Sequence, residues 1–148
     1  MRFAALAMLA CAALGGCGDN RSPSAPSPAT NSFNGQWTGT TSQGQPISFT
    51  VASDRVTTVS VGYNYGGCSG TTTATNLNLE IVDLRARVSQ PPPEPYSFGG
   101  LVGPYSESDN TQITAFFSSP AERSGHGIIL FVRPACGETI ALWNTTKR

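Results

Sequence analysis

The chain holds one histidine, His126, and Ser124 precedes it by two residues, its nearest approach to a nucleophile beside a base. No G-x-S-x-G elbow surrounds that serine, and no spacing matches a Ser-His-acid triad. His126 therefore reads as a strand-end side chain with its polar tip in water. The acids Glu80, Asp83, Glu94, Glu107, Asp109, Glu122 and Glu138 are scattered. Sugar hydrolysis would need two of them within about 10 Å; they could meet in space, but nothing in their spacing argues for it. Ser106-Glu107-Ser108-Asp109-Asn110 offers oxygens to calcium but lacks the glycine turn of an EF-hand, so it reads as a solvated turn. With one imidazole, a zinc site is not expected. These residues predict a non-enzyme with no catalytic residue, no metal and no cofactor.

The four cysteines sort by position. Arg2 followed by an apolar run from Phe3 to Leu14 has the form of a secretory leader, too short for a bilayer, which takes roughly 20 apolar residues. It ends in Leu14-Gly15-Gly16-Cys17, which resembles the bacterial lipobox. That resemblance implies a thioether-linked diacylglyceryl group on Cys17, cleavage before it, and acylation (palmitate or a similar chain) of the new amine. It predicts a lipoprotein of the bacterial cell envelope, extracytoplasmic and membrane-anchored. In a double-membraned bacterium, the resemblance implies that Gly18 rather than Asp after Cys17 favours the outer over the inner membrane. Cys11 leaves with the leader. Cys68 and Cys136 remain as an even pair in an oxidising compartment and are expected to form a disulfide.

Three aromatic residues are the candidate ligand contacts. Tyr63 and Tyr65 lie two apart before Gly66-Gly67, where rings beside a turn can stack on a flat ligand; Trp37 is the third. The bland reading of the tyrosines is a continuation of the buried Val59 and Val61 face.

These residues need a scaffold. The chain divides into a leader (1–16), a lipidated Cys17 with a Pro/Ser tether (17–32), and a single domain (33–148). Residues 19–32 carry three prolines, four serines and nothing more apolar than alanine, so they cannot bury enough surface to fold. The tether's mean reach is about 20 Å, with a limit near 43 Å when fully polyproline II. Formal charge is zero over the chain, and Lys147 is the only lysine. Without a basic stripe, nucleic acid is excluded as a partner. A small molecule, a glycan or an envelope protein stays open.

From Phe33 the hydrophobic period is two. Gln36 to Thr40 opens a first strand with Trp37 inward. Ile47, Phe49 and Val51 alternate with polar residues, and Ser53-Asp54 turns the chain. Val59, Val61, Tyr63 and Tyr65 share a face. Ser69 to Thr75 is almost all Thr and Ser; Leu77, Leu79 and Ile81 alternate after it. Gln90 to Pro95 is a loop or edge cover because prolines lack donors. Tyr96 to Val102 reads as a glycine-weakened strand, and Gln112 to Ser118 as a strand with Ile113, Ala115 and Phe117 on one side. Ile128 to Val132 is apolar on both faces and predicts a central strand. Thr139 to Thr145 closes the chain. Eight or nine short antiparallel strands predict an all-β small barrel, with a β-sandwich as the alternative.

Gly35-Gln36-Trp37 resembles the G-x-W signature of lipocalins, whose second motif is missing here. That resemblance implies a Trp plugging one barrel end beneath a late Arg, here Arg133 or Arg148, and a carrier of a small apolar ligand. The run from Trp37 to Val51, with Cys136-Gly137 and Trp143, is similar to uncharacterised bacterial secreted β-domains, which implies the fold without an activity. The leading expectation is a lipid-anchored, non-enzymatic binding or envelope-structural domain. The carrier, and an enzyme with an unrecognised site, are the alternatives.

Overall fold

The computed structural model describes residues 32–90, 92–103, 106 and 109–148; the leader, Cys17 and the tether as far as residue 31 lie outside them. Ten strands make one antiparallel sheet, curled into a half-barrel. They are β1 (Gly35–Thr41), β2 (Pro46–Ala52), β3 (Arg55–Tyr65), β4 (Cys68–Ala74), β5 (Leu79–Glu80), β6 (Val82–Asp83), β7 (Tyr96–Leu101), β8 (Asn110–Phe117), β9 (Ser124–Arg133) and β10 (Gly137–Lys147). Their order is β4-β3-β2-β1-β10-β9-β8-β7-β6, with β5 paired to β3. No α-helix occurs among the described residues; Leu84–Ala86 forms a short 3-10 turn.

Period two dictates the layers. Ile47, Phe49 and Val51 of β2 are buried while Pro46, Thr50 and Ala52 are exposed, and β8 and β10 alternate likewise. Ser53 and Asp54 both take positive φ, the geometry of a two-residue hairpin turn whose twist matches its strands. The β2/β3 ladder shifts register between Thr50 and Val51. This bulge leaves the Thr57 carbonyl to accept the Leu77 N–H at 2.9 Å. β3 thereby changes partner along its length, pairing with β4 at Val59–Tyr65 and with β5 at Arg55–Val56. The segment 79–83 is thus hydrogen-bonded to β3 on one side and, through β6, to β7 on the other. It joins the two margins of the sheet at one end, which removes open edges there.

The opposite end is joined covalently. Cys68, at the start of β4, and Cys136, in the β9–β10 turn, form a disulfide with Cα atoms 5.9 Å apart. Gly66 has to be glycine here, since a Cβ would sit 2.4 Å from the Cys136 carbonyl oxygen and its φ is positive. The Thr/Ser run of β4 shows no apolar alternation. It is a strand because β3 supplies its ladder and the disulfide holds its first residue.

Aromatic rings fill the interior. Trp37 stacks on Phe49 at 5.6 Å, and Phe49 meets Phe98 and Trp143 edge-on at 5.4 and 5.8 Å. Phe117 meets Trp37 at 5.0 Å, and Phe33 caps that end against Phe117 and Tyr96.

β9 is central in strand order, between β10 and β8, as its apolar run predicts, but one of its faces is open. Among the described residues the sheet has no second layer outside it, so Ile128, Ile140 and Leu142 are 41%, 62% and 62% exposed. One expectation needs correction: neither Arg133 nor Arg148 packs on Trp37. Lys147, its cross-strand partner in β1/β10, places Nζ 5.9 Å from the ring.

Candidate functional site

Trp37 is fully buried, and its indole N–H donates to the Phe33 carbonyl at 3.0 Å. This corrects its place among the ligand contacts: it is core. Tyr63 and Tyr65 are half-buried and lie against Phe131 at 5.6 and 5.9 Å. They continue the Val59–Val61 face, so the bland reading describes most of their surface.

What the sequence did not reveal is the cation above them. Arg133 places its guanidinium 5.1 Å from the Tyr63 ring centre and is itself buried. Its Nη1 donates to the carbonyls of Asn110 and Val132, and its Nη2 to the hydroxyls of Thr72 and Thr111. Asp109 Oδ1 lies 2.9 Å from Nη1 as an ion pair. That contact is charge proximity rather than an aligned hydrogen bond, because the Nη1 hydrogens already point at two carbonyls. The Tyr65 hydroxyl is buried without a partner. Burial pushes its pKa up, and the nearby Arg133 charge partly opposes the shift. A hollow of about 470 Å³ lies beside Tyr63, Thr71–Thr73, Asp109 and Arg133. Its cation is already committed to five oxygens of the fold, so the cluster reads as a pin between β4 and β8–β9.

The second concave region is on the outer face of β9, β10 and β1. Side chains alternate outward from these strands: Ser124 and His126, Asn144 and Thr146, Thr38 and Thr40. Register sets them side by side, since Thr146 is opposite both Thr38 and Ser124, and Asn144 is opposite both Thr40 and His126. β1 and β10 approach closely at Gly39, where a Cβ would fall 1.8 Å from the Asn144 carbonyl oxygen. These residues, with Ser118 and Glu94, line a hollow of about 370 Å³. Glu94 reaches in from the proline-rich loop, its Oε2 3.1 Å from His126 Nε2. A further hollow of about 420 Å³ shares Thr38, Gly39 and Thr40 and runs on over Pro46, Ser48, Ser60 and Thr71 to Arg148.

Chemically this face is rich in hydroxyls, with Glu94, His126 and Arg148 as its ionisable groups. Hydroxyl and amide groups both donate and accept. Among the described residues, no hydrogen bond within the protein engages the side chains of Thr38, Thr40, Ser124, Asn144 or Thr146, so the fold does not use them. Glu94 and His126 satisfy the distance an enzymatic site would need. His126 Nε2, however, faces Glu94, and no serine or threonine hydroxyl is hydrogen-bonded to the imidazole among the described residues. No group of three His, Cys, Asp or Glu side chains with metal-binding geometry occurs among them either. In the 106–110 turn, Ser106 and Asp109 bond each other instead; Glu107 and Ser108 lie outside the described residues.

No protein-family model, curated protein or solved structure matches the chain. The lipocalin resemblance accordingly rests on Gly35-Gln36-Trp37 alone, and function has to be read from geometry.

Proposed function

We propose that the protein is a lipid-anchored, extracytoplasmic β-domain of the bacterial envelope that binds a ligand on its outer face without reacting with it. One observation carries the binding reading: the concave outer face of β9, β10 and β1 holds polar side chains that contribute no hydrogen bond to the fold. Anchorage rests on Leu14-Gly15-Gly16-Cys17 and the tether that follows. Binding is preferred to catalysis because the Glu94–His126 pair has no hydroxyl nucleophile bonded to it. A carrier would need a chamber, and the space between β1, β2, β7, β8 and β10 is taken by Trp37, Phe49, Phe98, Phe117 and Trp143.

The test is a ligand screen by amide NMR on the mature full chain in detergent, using fractions of a bacterial envelope. Shifts clustered at residues 38–40, 124–126 and 144–146 are expected. Shifts confined to Tyr63, Thr72 and Arg133 would move the site to the opposite margin and overturn this assignment.

A further inference from the structure

The strand register extends the polar face beyond the first hollow. Thr38 is opposite Ser48, Ser48 opposite Ser60, and Ser60 opposite Thr73. In the other direction Thr38 is opposite Thr146, and Thr146 opposite Ser124. Six adjacent strands, β9-β10-β1-β2-β3-β4, therefore each place one hydroxyl residue in a single row crossing the sheet. The row advances about 4.8 Å per strand, the ordinary strand spacing. Ser60 and Thr73 bond each other at 3.0 Å at one end of it. Thr38 and Thr40 belong to both hollows, so the two adjoin beneath this row.

We propose that the two hollows form one track for a neutral oligosaccharide lying across the strands. This deepens the binding reading above and rests on it. The track's chemistry selects the ligand class. The row itself carries no charged side chain; Glu94 with His126 lies at its β9 end, and Arg148, which follows β10 and bonds the Gln36 carbonyl of β1, lies beside its centre. An anion would meet the Glu94 carboxylate, and an apolar ligand would strip water from hydroxyls it cannot pair. A saccharide hydroxyl, which donates and accepts, pairs with Thr, Ser and Asn in either sense. Pro46 adds an exposed apolar facet for the C–H face of a sugar ring. Successive rings of a glycan chain repeat at an interval close to that of the strands, so one ring per strand keeps register along the row. Together the hollows fall within the several hundred Å³ usual for ligand sites.

The experiment titrates the mature full chain, in detergent, with glucose and N-acetylglucosamine oligomers from one to six rings. Amide shifts report occupancy, and inorganic phosphate and a short neutral peptide serve as comparison probes. Affinity should rise with ring number, with shifts spreading from residues 38–40 towards Ser48 on one side and Asn144 on the other. Thr38→Val and Asn144→Ala should each weaken the longest oligomer roughly threefold to tenfold, the loss of one net hydrogen bond. Unchanged thermal midpoints would show that these substitutions leave the fold intact. Equal binding of one ring and six would overturn the track. No shift with any oligomer at about 10 mM would overturn the saccharide class. Phosphate or peptide shifting the same amides would then keep the binding reading and replace its ligand. If envelope fractions also leave those amides unmoved, both proposals fall.

Discussion

Tyr65 shows how a buried polar atom can cost stability while its ring supplies it. The ring packs on Phe131 and Tyr63, but the hydroxyl has no partner. Tyr65→Phe keeps the packing and removes the orphan, so urea unfolding should show no loss and a gain of up to about 1 kcal/mol. The same residue gives a sign for alkaline pH. Its folded-state pKa is raised above the ordinary tyrosine value of 10.0. Its contribution is therefore complete below about pH 10 and is lost as pH rises through the raised value. Stability followed across that window should fall in the native protein and fall less in Tyr65→Phe. Arg133 is the opposite case, a buried cation whose own donors meet two carbonyls and two hydroxyls. Arg133→Met leaves Asp109, Thr72 and Thr111 without it and should cost about 3 kcal/mol in urea unfolding. Arg133→Lys should recover only part, because a single ammonium cannot reach that many oxygens at once. Neither role was legible in the sequence. Arg133 follows an apolar run and looks like a strand-end charge until Thr72, 61 residues away, is brought to it.

At the scale of elements, strands with apolar alternation were legible and those without it were not. β2 and β8 advertise their faces through Ile47-Phe49-Val51 and Ile113-Ala115-Phe117, whereas β10, with Ile140 and Leu142 on one side and Trp143 on the other, does not. β4 is written in threonine and serine, and only its pairing with β3 makes it a strand. The Cys68–Cys136 disulfide was legible from compartment and parity, and it closes a sequence separation of 68 residues. Reduction should lower the unfolding free energy by about 4 kcal/mol in the chain-entropy account, measured by denaturant titration with and without reductant. The aliphatic cross-strand pairs Ile140–Leu130 and Leu142–Ile128 face outward from β10 and β9. Sequence alone reads these residues as core, since hydrophobicity does not say whether a second layer exists. Ile140→Thr with Leu142→Thr should change stability by only about 0.5 kcal/mol, whereas Ile129→Ala, on the inner face of the neighbouring β9, should cost about 3 kcal/mol. Thermal unfolding of both variants distinguishes open face from core. The hydroxyl row escaped sequence reading for a related reason. Polar residues at alternate positions are the ordinary mark of a solvent face, and only register shows that six of them align.

For the whole molecule, the all-β class and its near-closure followed from strand count and turn spacing. How it closes did not follow, because that depends on the Thr57 bulge and on 79–83 pairing two ways. The anchor proposal has its own test at this scale. Cys17→Ala should abolish incorporation of labelled palmitate and release the protein from the membrane fraction. A variant still membrane-bound and labelled would remove the anchor. The way Ser32 and Phe33 enter the sheet has a mechanical consequence. The Phe33 N–H is bonded to Asp54, the Ser32 carbonyl accepts from Lys147, and the next strand, β1, lies between β2 and β10. Tension arriving from residue 31 would enter at an interior strand held by two ladders, neither of which includes the cystine. From β1 it needs to cross only β10 to reach the hollow between Asn144 and His126. Load carried from an anchor to a bound ligand would thus pass through three neighbouring strands, leaving the rest of the half-barrel as unstressed ballast.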